Sequence, residues 1–562
     1  MNSLIDTSVI VVFSVFIMLI GFMFARTGRN LKSFFAGGEA VPWFIGGLSL
    51  FMSFFSAGTF VAWGSIAYKY GWGGGMAVTI QWTMCIGGLV TGLYLAPKWK
   101  ATGNLTAAEF IKERLGDKVQ KSFIYIFMLV SLFIKGSVLY SVARLVGSSL
   151  DFPLLPVTVV LGIFMIAYTA VGGLWAVMVT DILQFVILTA AVLLIIPLAF
   201  SEAGGVNVVL ERVPENFFHI VNGEYTWGFI VAFALYHIFY IGGNWTFVQR
   251  YTSVDTPKSA SKVAFLFAGL YIISPVLWML PPMIYRTMNP GLTGLETENA
   301  YLMVCKQVLP AGLMGLILTG MYFSTSASAN TALNVVSAVF TNDIYKGINP
   351  HASDRKLMKV ARLSSWFFGI GMIIIALIVP YIGGIVEFTL SVGAITGGPL
   401  LAPPIWALFS KRITGKATIY ITVLSLGINL VFKILLPLLM DYKLSRASEM
   451  LLGVLLPCIL LLLYEVYAAS KGWISEEYQQ LQDRRAARKT EVAEIDETEV
   501  LEIKRQNRFG LQVIAFALAF IALLLYILCA FTAKGTNLVA GIATVILLCS
   551  LIPYRASRKV VI

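Results

Sequence analysis

Charge is what this sequence has least of. Only 12% of its 562 residues are Asp, Glu, Lys or Arg, whereas 58% are hydrophobic and the mean hydropathy is +0.82. A soluble domain carries close to a quarter charged residues, so a water-soluble globular protein is excluded and an all-α polytopic membrane protein is expected. Cysteine is scarce as well. Cys85, Cys305, Cys458, Cys529 and Cys549 lie in or beside apolar runs, with no CxxC pair and no Cys/His spacing, which supports neither a disulfide framework nor a zinc site. No Walker motif is present, which argues against ATP drive. No His/Asp cluster or Ser/His pair falls at membrane depth, which argues against a membrane-embedded enzyme, and the polar segments are too short for a signalling domain. The first apolar run lacks a basic stretch before it and is followed by Arg26, Arg29 and Lys32, so it reads as a retained helix and not a cleaved signal.

What the chain has in quantity is apolar runs long enough to cross a bilayer, each about 20 residues. Fifteen begin near residues 5, 42, 75, 120, 156, 174, 225, 263, 308, 359, 384, 417, 448, 508 and 537. The fifth is short and ends at Gly172–Gly173. With the N-terminus outside, the inner segments are 26–36, 97–121, 249–262, 341–362, 411–416, 470–508 and the tail from 555. These hold 31 of the 41 Lys and Arg residues. That asymmetry is what the positive-inside rule requires, so the net charge of +12 is a topology signal and not the mark of a nucleic-acid partner. An odd helix count puts the C-terminus in the cytoplasm of a cell whose plasma or inner membrane holds the chain, expected to be a monomer. The segment 470–508 mixes both charge signs with good helix formers. It reads either as a cytosolic helix along the membrane surface or as a solvated linker.

Two of the runs are interrupted by small residues at comparable places, "FFSAGTFVAW" (54–63) in the second and "FYIGGNWTF" (239–247) in the seventh. They lie five helices apart, so they run in opposite directions, as an inverted repeat of five helices produces. Transporters build midplane sites from such broken helices, because freed carbonyls can bind a cation. Irregular backbone survives in a bilayer only where protein or a watery cavity covers it. Close helix packing by small residues is the structural alternative. The ninth run adds "YFSTSASANTALN" (322–334), whose Ser324, Ser328 and Thr331 share one helical face, with Ser326, Asn330, Asn334 and Ser337 on another. Some of these hydroxyls can bond back to the helix's own carbonyls, but so many oxygens suit a hard cation such as Na⁺.

These residues resemble the sodium/solute symporter family, which includes sodium/glucose, sodium/proline and sodium/sialate carriers. The resemblance covers about residues 5 to 470. It rests on "TAVGGLWAVMVTDILQ" (169–184), similar to the family's Gly-Gly-x-x-Ala-Val-x-x-Thr-Asp-x-x-Gln signature. "NVVSAVFTNDIYK" (334–346) and "FVQRY" (247–251) add to it. It implies a LeuT-type five-plus-five inverted repeat. The corresponding divisions are an accessory helix in 1–36, repeats in 37–204 and 205–416, accessory helices in 417–469, the charged segment 470–508, and further accessory helices in 509–562. It also implies a sodium site from the carbonyls of Met52, Phe55 and Ser324 with the side chains at Ala327 and Ser328, and a second from Asn330 and Thr331. Family members usually carry two adjacent hydroxyls where this chain has Ala327 before Ser328, so one ligand is missing or is replaced by Ser56, Ser324 or water. Asp181 resembles the aspartate on the inner sodium route; an intramembrane carboxylate is functional or paired. Ser56, Thr59, Gln81 and Tyr240 match solute-facing positions of sugar carriers, whereas Tyr271 stands where one sugar branch has lysine.

Charged residues inside the runs bear on the solute. Lys135 and Arg144 lie in the fourth and Glu387 in the eleventh. Lys135 can hold a substrate carboxylate or pair with a buried acid such as Asp181, and Arg144 can snorkel outward. His237 reads as a packed polar residue before a proton relay. The expectation is therefore a Na⁺-coupled secondary transporter for a small polar solute, a sugar or sugar acid first. The alternative is a proton-coupled or uncoupled carrier of a small carboxylate.

Overall fold

The computed structural model describes residues 3–25, 41–71, 77–104, 106–150, 152–167, 174–345, 348–349, 351, 353–440, 443–490, 497–531 and 535–559, with backbone alone at some helical positions, among them 327, 328, 330–332 and 334–339. The described residues are helical apart from loops and one isolated bridge, Asn222 with Tyr225. Ten helices among them are long and apolar enough to cross a membrane, or eleven if one bent pair is a single span. Four shorter apolar helices lie at Leu4–Ile17, Trp43–Met52, Leu154–Ile163 and Leu313–Ser326.

The principal helices are α1 (Ser3–Ala25), α2 (Trp43–Met52), α3 (Gly64–Tyr70), α4 (Ala77–Val90), α5 (Asp117–Leu150), α6 (Leu154–Ala167), α7 (Leu174–Glu202), α8 (Trp227–Gly243), α9 (Trp245–Thr252), α10 (Pro257–Met288), α11 (Leu313–Val339), α12 (Asp354–Ile378), α13 (Gly384–Ala407), α14 (Gly415–Leu430), α15 (Arg446–Ser470), α16 (Glu476–Thr490), α17 (Glu497–Cys529) and α18 (Thr536–Lys559). Several begin on a hydroxyl that accepts from a backbone N–H of the first turn: Thr226 for α8, Thr256 for α10, Thr414 for α14 and Ser445 for α15. Such caps satisfy donors that the helix itself leaves unpaired.

Both interruptions expected from the small-residue clusters are present. α2 ends at Met52, and residues 53–56 pass through turns before the helix resumes at Ala57 and leads through a wide π-type turn, Thr59–Trp63, into α3. α8 and α9 meet at Asn244 with a bend of 54°. The charged stretch 470–508 is helical at both of its described ends. α16 packs against the short helix Ala107–Leu115. There Arg114 donates to Ser410 O at 2.9 Å and stands over the Tyr478 ring at 5.3 Å. From Glu497 onward the charged residues are the first turns of α17 itself. The Gly172–Gly173 exit and the basic stretch 26–36 lie outside the described residues.

Candidate functional site

A cavity of about 280 Å³ opens among α2, α5, α7, α8, α9, α11 and α13. Its wall from α5 includes the helical stripe Ile124, Phe127, Met128, Ser131, Lys135 and Val138, at spacings of three and four. α13 contributes a second stripe from Phe388 to Leu401, in which Gly393 and Gly397 leave room for the Tyr236 ring. A Cβ on Gly397 would lie 2.3 Å from it. The cavity extends from the paired rings of Tyr236 and Tyr240, 5.3 Å apart and stacked, to Asp181, Arg250 and the exposed Thr246. That second end is called the basic end here: at the close of α9, Lys100 Nζ donates to Thr252 O at 3.0 Å.

The break after α2 frees backbone groups that water cannot satisfy in a bilayer, and side chains from two helices take them. Ser324 Oγ donates to Phe55 O at 2.6 Å, the Ala57 N–H donates to Thr325 Oγ1 at 3.1 Å, and Thr59 Oγ1 donates to Phe54 O at 3.0 Å. Met52 O accepts from the Phe55 N–H at 2.9 Å. The second break is sealed in the same manner. Asn244 Oδ1 accepts from the Thr246 N–H at 3.0 Å, Trp99 Nε1 donates to Gly242 O at 2.7 Å, and Tyr251 Oη donates to Ile241 O at 3.0 Å.

A buried charge pair lies in the cavity wall at the basic end. Ser49 Oγ donates to Asp181 Oδ2 at 2.7 Å and accepts from Arg250 Nε at 3.3 Å. Arg250 Nη2 stands 3.8 Å from the same carboxylate oxygen, and Nη1 donates to Thr246 O at 2.9 Å. Asp181 is thus bound to Arg250 of the "FVQRY" motif through Ser49, and this is the pairing Lys135 was an expected candidate for. Arg144 reaches the turn after α10, where its Nη2 donates to Leu295 O at 3.3 Å. His237 meets Thr83 Oγ1 at 2.7 Å inside the helix packing.

Of the residues singled out in the sequence, Met52, Phe55, Ser324, Asp181, Lys135 and Tyr240 line this one cavity. Ser56 sits in the break itself, half-buried, beside buried Thr59. Gln81 is buried in α4 with its Nε2 unpartnered. Tyr271 is buried among Phe51, Phe54, Phe55 and Phe267, with ring centroids 4.7 to 6.4 Å away. Glu387 is not brought to the cavity. It belongs to an ion cluster at the opposite end, by the start of α13 and called the lid end below, where Lys433 Nζ lies 3.1 Å and Arg446 Nη2 2.8 Å from its carboxylate. α11 carries Ala327, Ser328, Asn330 and Thr331, but their side chains lie outside the described residues. The oxygens at the α2 break are backbone carbonyls and the hydroxyls of Thr59, Ser324 and Thr325, all neutral. Sequence reasoning gave no role to Tyr236, Asn244 or Arg250. The first has a signal, one helical turn before Tyr240 on the same face.

The sodium:solute symporter family model matches residues 34–423, well over half of the sequence. The chain belongs to this family. Among its relatives, a sodium/glucose cotransporter of Vibrio parahaemolyticus is 27% identical over 482 residues, covering 78% of this chain and 87% of that protein. The mouse sodium/glucose cotransporter 1 is 27% identical over 468 residues, covering 74% and 69%. Among solved structures, a Na⁺-coupled sialic acid symporter in a substrate-bound outward-open state superimposes with a TM-score of 0.68. It is 20% identical and covers 84% of this chain and 99% of that one; at that identity the likeness is one of fold. This symporter-family chain is accordingly a multi-pass membrane protein whose family couples solute movement to sodium.

Proposed function

We propose that the protein takes up a small polar solute, a sugar or sugar acid, driven by Na⁺ and by alternating access, with no chemistry on the solute. The observation that carries this is the meeting of the Phe55 carbonyl with the Ser324 hydroxyl at 2.6 Å. Both residues line the cavity that also holds Lys135 and Tyr240. A hard cation takes oxygen ligands, and the proposed sodium site uses the carbonyls of Met52, Phe55 and Ser324 with Ser328, Ala327 marking the missing hydroxyl. Asn330 and Thr331 form the proposed second site, and Asp181 lines the exit. Gln81, Ser56, Thr59 and Tyr271 surround the solute in another conformation of the cycle.

A five-plus-five repeat agrees with the packing. If the ten long helices, the bent pair and the four short apolar helices are fifteen spans, the second span (α2) packs on the sixth (α7) as the seventh (α8) packs on the eleventh (α13). The second also packs on the eighth (α10) as the seventh does on the third (α4). On this basis 37–204 and 205–416 are the two repeats, with accessory segments 1–36, 417–469 and 509–562 around them and 470–508 on the inner face. The basic end faces the cytoplasm, so the cavity opens inward, toward the C-terminus's side. The protein acts as a monomer.

The second reading, a proton-coupled or uncoupled carrier of a small carboxylate, is favoured by Lys135 in the wall and by Ala327. Uptake of labelled sugars, sialates and monocarboxylates into proteoliposomes separates them. A sodium gradient should raise uptake of one sugar or sugar acid at least tenfold. Equal uptake without sodium overturns the proposal, and monocarboxylate uptake driven by a proton gradient replaces it.

A further inference from the structure

Between α10 and α11 the chain forms the turn Gly294–Asn299 and the short helix Ala300–Val308, which pack on α3 and α5. Glu298 on this turn is 3% exposed. Its Oε2 accepts from the Tyr140 hydroxyl at 2.6 Å, and its Oε1 accepts from the Ile385 N–H at 2.9 Å. Tyr140 belongs to α5 and Ile385 to the first turn of α13, both helices of the cavity wall. The carboxylate therefore caps α13 from a different element, where the helix leaves its own N–H groups unpaired and attracts negative charge. Gly384 keeps the seat free: its φ is +86°, and a Cβ there would lie 2.3 Å from Glu298 Oε1. The adjoining Thr297 meets Ser65 Oγ of α3 at 2.6 Å. One turn thus ties the far half of the broken second span to α5 and α13.

We propose that Glu298 is the latch of the lid-end gate: seated between Tyr140 and the start of α13, it holds the pathway closed at that end while the cavity opens at the basic end, and it leaves that seat when solute enters. The proposal rests on the alternating-access reading above, because only then must the lid end open. The groups facing the carboxylate are Tyr140 and Arg144 of α5, Lys69 of α3, and, one turn into α13, Glu387, which is turned to Lys433 and Arg446. Burial raises the Glu298 carboxyl above the usual carboxylate range, against the pull of its hydrogen bonds and of Arg144 and Lys69. Freed into water, the group returns to its ordinary value. The latched state therefore holds a proton more readily than the open one, so acid favours the closed lid and rising pH releases it.

Val386→Cys, in the wall of the lid-end pocket beside Glu387 and Lys69, reports the gate through its labelling by a membrane-impermeant maleimide on intact cells. Rates are normalised to the same cysteine in denatured protein, which removes the reagent's own pH dependence. Glu298→Ala, which removes the latch, and Gly384→Ala, which crowds its seat, should each speed labelling about tenfold, with buried Cys85 still protected. In the protein with native Glu298, labelling should rise between acid and mildly alkaline pH, and Glu298→Gln, which mimics the protonated acid and cannot ionise, should flatten that profile at its slow, acid level. Unchanged labelling in both alanine variants, or a flat profile with Glu298 present, overturns the latch. The measurement needs neither sodium nor solute, so its failure leaves the uptake result standing, and a failure of sodium-driven uptake leaves the labelling result standing.

Discussion

Arg250→Ala is expected to destabilise the protein by about 3–5 kcal/mol and to abolish transport. That is the range for removing one partner of a buried ion pair and leaving the other charge uncompensated. The side chains of Arg250 and Asp181 are only 4% and 8% exposed. Without the guanidinium, Asp181 keeps a single neutral donor, Ser49 Oγ at 2.7 Å, and Thr246 O loses its partner. Three spans are joined at this point, since Ser49 lies in α2, Asp181 in α7 and Arg250 in α9. The double variant Asp181→Leu with Arg250→Met should recover much of the stability, because replacing a buried pair by apolar groups is often neutral. It should not recover uptake if Asp181 serves the cation's exit. Unfolding midpoints in detergent and sodium-driven uptake, measured on the single and double variants, check both statements. A single variant as stable as the double would show the pair to be dispensable for folding.

Gly453→Val is expected to cost about 3 kcal/mol or more, at the upper end for overpacking. α13 and α15 cross at backbone contact. A Cβ on Gly453 would lie 1.9 Å from Ala394 O, and one on Gly398 would lie 2.1 Å from Gly453 O. Backbone cannot rotate away as a flexible side chain can, so the helices must separate. α13 would then move toward the Tyr236 ring, where Gly397 leaves no slack, and the cavity wall would shift. A loss of folded protein in size-exclusion profiles checks this, and Gly427→Val, at a glycine with open space around it, should be tolerated. Small residues at such crossings are how membrane helices approach closely without a hydrophobic drive between them.

Much of the site was legible. The Gly/Ser clusters marked both helix breaks, because a bilayer tolerates irregular backbone only under cover. The hydroxyl-rich ninth run supplied the side chains that cover the first break, through Ser324 and Thr325. The partner of Asp181 was not legible: Ser49 is 132 residues away from it, and Arg250 is 201 residues from Ser49. The placement of Glu387 was missed for a related reason. Its charge suggested the cavity, whereas its position one turn into α13 puts it among Lys433 and Arg446 at the lid end. Glu298 had no signal at all in "GLETEN", an ordinary polar loop until Tyr140 and Ile385 are brought to it.

The sequence alone determined that the protein lives in a membrane, where two of its helices break, and to which family it belongs. Those properties depend on local composition and on motifs within a few turns. Which helix faces meet was decided by the tertiary structure. Spans that are apolar around most of their circumference carry little facial pattern, so the choice of neighbours falls to close packing at glycines and to a few buried polar groups. The pairing of Asp181 with Arg250, the crossing of α13 with α15 and the seating of Glu298 are all such choices.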